Sequence, residues 1–125
     1  NLLTAKLANN PEAAMLQFAK GLALIRRAQP AEALKALREA NRLEPASARY
    51  AYTLALTLQD QGDADGATQL LEAALEKHPE NRDVRLALIA RLRDDGKIAQ
   101  MKARIEELKA INTGDPVLQS GSAVP

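Results

Sequence analysis

The chain has 125 residues, 17 basic against 16 acidic, and a formal net charge of +1. That balance speaks against duplex DNA or an anionic membrane surface as partner. No cysteine is present, which excludes disulfides and thiolate chemistry but leaves cytoplasm and periplasm both open.

Apolar residues make up 46% of the chain and aromatic ones 2%, with Phe18, Tyr50 and Tyr52 as the whole aromatic set. A core must come from Ala, Leu, Ile and Val, which suits close helix packing. No run nears the ~20 apolar residues of a membrane span, so no membrane insertion is expected. No signal peptide is visible. The start at Asn1 reads as a processed form or an excerpt of a larger protein.

In chain order, Leu2, Leu3 and Leu7 form a short amphipathic segment within residues 1–10. It reads as the end of a preceding unit or an N-terminal helix. Apolar spacing then predicts helices over 12–27, 31–43, 47–60, 64–77, 81–94 and 97–111. The middle of the chain shows how they are punctuated. Pro45 ends one helix and Ser47 caps the next. Gln61-Gly62-Asp63 stops that helix, with Gly62 as the left-handed end and Asp63 as the following cap. Residues 97–111 carry one stripe, Ile98, Met101, Ile105 and Leu108, as a terminal helix packing on one side would. Residues 114–125 lose periodicity and read as a tail that docks, if at all, through Val117 and Leu118.

Small and apolar residues recur at a spacing of 34: Gly21, Ala55, Ile89; Ala33, Ala67, Met101; Ala40, Ala74, Leu108; and Pro11, Pro45, Pro79. A fixed period in this range marks a stacked helical array. The units divide as 12–45, 46–79 and 80–113.

These residues resemble the tetratricopeptide repeat (TPR). Residues 48–79 agree best, at Leu54-Ala55, Leu58, Gly62-Asp63, Ala67, Leu71, Ala74 and Pro79. The first unit departs at Lys20. The third departs at Ile89, Met101 and Leu108, which are large for the pattern, and Thr113 replaces the closing Pro. The resemblance implies an all-α fold, a right-handed superhelical array of six or seven helices in antiparallel pairs. The first helix of each pair would line a concave groove that holds a peptide or helix. Register places Met15, Phe18, Leu22, Ile25 and Arg26 of the first unit on that groove. Arg49, Tyr52, Leu56 and Gln59 come from the second, and Leu86, Ala90 and Arg93 from the third. Members that grip acidic chaperone tails carry a clamp of Lys, Asn and Arg on this face. Phe18, Leu22, Tyr52 and Leu56 stand there instead, so that role is not expected. A narrower likeness joins Ala48-Arg49-Tyr50-Ala51-Tyr52 and the unit through His78-Pro79 and Arg82-Asp83 to larger bacterial proteins. Some of those are multihaem cytochromes. No Cys-x-x-Cys-His motif occurs, so a haem domain would lie outside this chain and no cofactor is expected.

Catalytic chemistry finds no footing. His78 is the one histidine, and its place before Pro79 reads as an exposed loop position. A zinc site needs three or four ligands. Asp94-Asp95 and Glu106-Glu107 are adjacent in sequence, so on a helix they point about 100° apart and read as solvated faces. Residues 62–66 lack the span and closing Glu of a calcium loop. Arg26-Arg27 and Arg91 to Arg93 have acids nearby and read as carboxylate grips or covers of apolar surface. The expectation is a non-catalytic protein–protein interaction module. Its groove is apolar and flanked by arginine, which is hot-spot composition. Self-association or scaffolding is the second reading, carried by the chain's first residues and the 97–111 stripe.

Overall fold

The computed structural model describes residues 11–111. They form six α-helices: α1 (Pro11–Arg26), α2 (Pro30–Leu43), α3 (Ala48–Asp60), α4 (Ala64–Lys77), α5 (Arg82–Asp94) and α6 (Ile98–Ile111). No strand occurs among the described residues, and no boundary differs by more than one residue from the pattern's expectation. The expected segments at 1–10 and 114–125 lie outside the described residues.

The turns within the pairs are built alike. The N–H groups of Ala28, Gly62 and Gly96 each donate to the carbonyl three residues back, and the next N–H reaches five back. That pairing is the Schellman motif, and it needs a left-handed residue at its centre. The φ values there are +58°, +92° and +75°. Glycine adopts this conformation freely, whereas Ala28 does so against its Cβ.

The connections between pairs are also alike. Glu44 and His78 cap the preceding helices, and Pro45 and Pro79 prevent continuation. Ser47 Oγ then accepts from the Tyr50 N–H at 3.2 Å, and Asn81 Oδ1 from the Val84 N–H at 2.9 Å. Ala13 stands at the equivalent place in the first helix and has no side chain that can cap. There α1 runs back to Pro11, giving 16 residues against 13 in α3 and α5. Proline is tolerated at such a first position because its missing N–H has no helical partner anyway. The connections are tied to one another. Lys77 Nζ donates to the Pro45 carbonyl at 3.2 Å, and His78 Nε2 lies 2.6 Å from the Ala46 carbonyl. His78 is therefore half-buried in a structural contact, where an exposed position was expected.

Each helix packs on its sequence neighbours, and the first helices of the second and third pairs, α3 and α5, also touch. Leu37, Leu71, Val84, Leu88 and Leu92 are sealed inside. Gly21 explains its own identity. A Cβ there would sit 2.7 Å from Leu37 Cγ and Cδ2, so only glycine lets α1 close on α2.

Candidate partner-binding groove

The expected groove residues divide by exposure. On α1, Met15, Ile25 and Arg26 are exposed and Leu22 is half-buried. Phe18 departs from the expectation of an open position, at 5% exposure. Its ring stacks on Tyr50 with centroids 4.7 Å apart, and the Arg49 guanidinium lies 4.8 Å above it. Phe18 thus joins α1 to the first turn of α3 and presents Arg49 rather than its own ring. On α3, Leu56 is exposed at 38%, Arg49 is exposed, and Tyr52 and Gln59 are half-buried. On α5, Leu86 and Ala90 are half-buried, and the exposed Arg93 pairs with Asp94 at 3.3 Å.

Register aligns these residues in rows. Met15, Arg49 and Asp83 form one; Phe18, Tyr52 and Leu86 a second; Leu22, Leu56 and Ala90 a third. Between α3 and α5 the structure opens a cavity of 390 Å³ lined by Ala48, Arg49, Tyr52, Thr53, Asn81 and Asp83. Asn81 and Asp83 were not expected there. The signal was present, since Asp83 stands 34 residues after Arg49.

The polar surface elsewhere departs from the sequence reading. Arg85 and Arg91 are buried. Arg85 donates to Glu107 at 2.5 Å, to the Pro79 carbonyl at 2.9 Å and to the Arg104 carbonyl at 3.3 Å. Arg91 donates to Thr68 Oγ1 at 3.3 Å and to Asp95. Glu107 and Asp95 are therefore partners of buried cations, not merely solvated carboxylates. A hydrogen bond from Arg85, with the Arg104 charge beside it, holds the Glu107 carboxyl below its ordinary value. These groups border a second cavity of 440 Å³ between α4 and α6, floored by Leu75, Pro79 and Ile111. Every buried polar side-chain atom has a partner among the described residues. No cluster there offers metal-ligand chemistry, and no helix is long and apolar enough to cross a membrane.

The fold is shared with solved TPR structures. MamA from Desulfovibrio magneticus RS-1 superposes with a TM-score of 0.71 at 23% identity, over 82% of this chain and 58% of that one. The chain thus spans 58% of the MamA chain it matches. The Arabidopsis OM64 TPR domain gives 0.73 at 18% identity, covering 91% of this chain and 94% of that domain. The first TPR of Spaghetti (RPAP3), solved with the HSP90 peptide SRMEEVD, gives 0.72 at 12% identity over 88% and 89%. Identities this low carry the fold alone. No curated protein matches. The TPR array is in general a protein-interaction fold rather than a catalytic one. Residues 1–103 match the family described as Psidin, N-terminal TPR repeats region, so the chain belongs to this family of tetratricopeptide-repeat proteins.

Proposed function

We propose that the units 12–45, 46–79 and 80–113 form a non-catalytic module that holds a peptide or helix across α1, α3 and α5. One observation carries this reading. Outside α1 and α6, Leu56 is the one large apolar side chain left exposed among the described residues. It stands in the register row of Leu22 and Ala90, beside half-buried Tyr52. A stable fold gains nothing from leaving it in water, whereas a partner's apolar residue gains a seat. RPAP3 holds an HSP90 peptide on the same fold. Here Leu22, Tyr52 and Leu56 replace clamp residues, which favours an apolar segment over an acidic tail.

Full burial of a large apolar side chain contributes about 1.5–3 kcal/mol. Leu56 and Tyr52 are already partly covered, and ordering the peptide cancels much of the remainder. A micromolar partner, near −8 kcal/mol, is the expected outcome. The test is capture from lysate with the intact chain and a Tyr52→Ala, Leu56→Ala variant side by side. Leu56→Lys serves as a second bait, since an exposed position tolerates it. A partner held by the intact chain should be lost from both. Retention by both folded variants would sink the groove.

The second reading is self-association. It is favoured by the exposed apolar residues at the two terminal helices, Met15, Leu16 and Ile25 on α1 and Ile98 and Ile111 on α6. Sedimentation across a concentration series decides it: a mass that stays monomeric removes it.

A further inference from the structure

The cavity between α3 and α5 places opposite charges on opposing walls without letting them meet. Arg49 stands on α3 and Asp83 on α5 at the same register, and both line its 390 Å³. Neither makes an ion pair among the described residues. Arg49 is nonetheless held in place, with its guanidinium 4.8 Å above the ring of Phe18. That ring is fixed in turn by burial and by Tyr50. A guanidinium lying on a ring keeps its in-plane N–H donors free for a planar anion. Asp83 sits in the first turn of α5. Asn81 also lines the cavity. Its Oδ1 accepts from the Val84 N–H, and no acceptor among the described residues takes its amide N–H groups.

We propose that this cavity receives a pair of oppositely charged side chains from the bound peptide, a carboxylate on Arg49 and an ammonium or guanidinium on Asp83. The proposal rests on the groove reading above and adds a charge signature to it. The cavity holds about thirteen waters at about 30 Å³ each, room for two polar side chains. Side chains enter, and the partner's backbone lies across the rim. A purely acidic segment would set a carboxylate against Asp83, and a purely basic one a cation against Arg49. Only the mixed pair satisfies both walls. The contact with the Phe18 ring restrains Arg49, so less conformational freedom is lost when the carboxylate docks. Tyr52 belongs to the cavity and to the apolar rows alike, so the charged pair lies next to the partner's apolar anchor.

The experiment titrates the isotope-labelled full chain with four capped peptides of equal leucine content. One carries Glu and Lys a helical turn apart, one two Glu, one two Lys, and one two Gln. Binding is followed by NMR through the Asn81 side-chain amide, the Arg49 Nε–H and the backbone signals of Tyr52 and Leu56. The mixed peptide should bind about five- to tenfold more tightly than either like-charged one. Arg49→Gln and Asp83→Asn should each erase that advantage. Equal affinities with shifts at Tyr52 and Leu56 would overturn the charge signature and leave the groove intact. A preference for the mixed peptide that survives both substitutions, or a like-charged peptide binding equally well, would also overturn it. If no peptide shifts any signal, the signature and the groove fall together.

Discussion

The first and last helix pairs share one register and solve the same packing problem in opposite ways. In the first pair, α1 and α2, the period-34 positions are Gly21, Ala33 and Ala40, all buried. Their small size lets the axes approach, and this pair makes the most extensive contact in the array. In α5 and α6 the same positions are Ile89, Met101 and Leu108. Those helices make a less extensive contact, and Leu108 is the one buried residue of α6. Ile98, expected at the head of the stripe, stays exposed. Polar side chains span what the apolar ones leave. Arg85 reaches from α5 to Glu107 and the Arg104 carbonyl on α6, and Arg91 reaches Thr68 on α4. Small residues thus close one end of the array, and long paired cations brace the other.

Breaking the comparison at its tight end should have the largest effect. Gly21→Val puts a branched side chain where even a Cβ would overlap the sealed Leu37. The expected cost is about 2–3 kcal/mol, a fall in Tm of roughly 10 °C. The matching change at the loose end, Ile89→Val, should cost only about 0.5–1 kcal/mol, because Ile89 is half-buried. Similar losses from both, read by thermal unfolding, would show that the two pairs are packed alike.

The residues that sequence reasoning placed correctly are those whose neighbours lie within one helix or at a fixed period. Helix ends were legible because Ser47, Gly62 and Asp63 act on backbone groups a few residues away. Register gave Phe18 as an open groove position, and its burial was not legible. Its burial depends on Tyr50 and Arg49, which reach it from another helix. Arg85 and Arg91 were harder still. Their partners Glu107 and Thr68 lie 22 and 23 residues away, and no pattern within a helix reports a contact between helices. The charge on Asp83 becomes informative only when α3 and α5 are set side by side.

A second test sharpens the contrast through the turns. Ala28 holds φ +58° where Gly62 and Gly96 stand in the other pairs. An Ala in the left-handed region costs about 1–2 kcal/mol. Ala28→Gly removes that cost but adds freedom to the unfolded chain, worth about 0.4–1 kcal/mol. The net gain should be about 0.5–1 kcal/mol, seen as a Tm rise of about 3–5 °C. Gly62→Ala and Gly96→Ala should lose about as much. Beyond the two chain neighbours, nothing among the described residues lies within 4 Å of a Cβ at either site, so a change there reports backbone conformation. A neutral Ala28→Gly would mean the first turn relaxes at no cost in solution.

The smallest effect probes the brace. Glu107 is held below its ordinary value of 4.5 mainly by the hydrogen bond from Arg85. A carboxyl with a lowered folded value binds its proton more readily when unfolded. Its stabilisation is therefore full above about pH 4.5 and is lost as pH falls through the folded value. The side chain is 47% exposed, so solvent screening limits the contribution to below about 1 kcal/mol. Glu107→Gln should lower stability slightly at neutral pH and flatten the acid limb of a denaturation series. Glu39, also lowered by its neighbour Arg42, titrates in both proteins and cancels from the difference. If the two acid limbs coincide, the carbonyls of Pro79 and Arg104 suffice to hold Arg85. The last pair would then be braced by neutral acceptors, and the contrast with the first pair would be one of size rather than of charge.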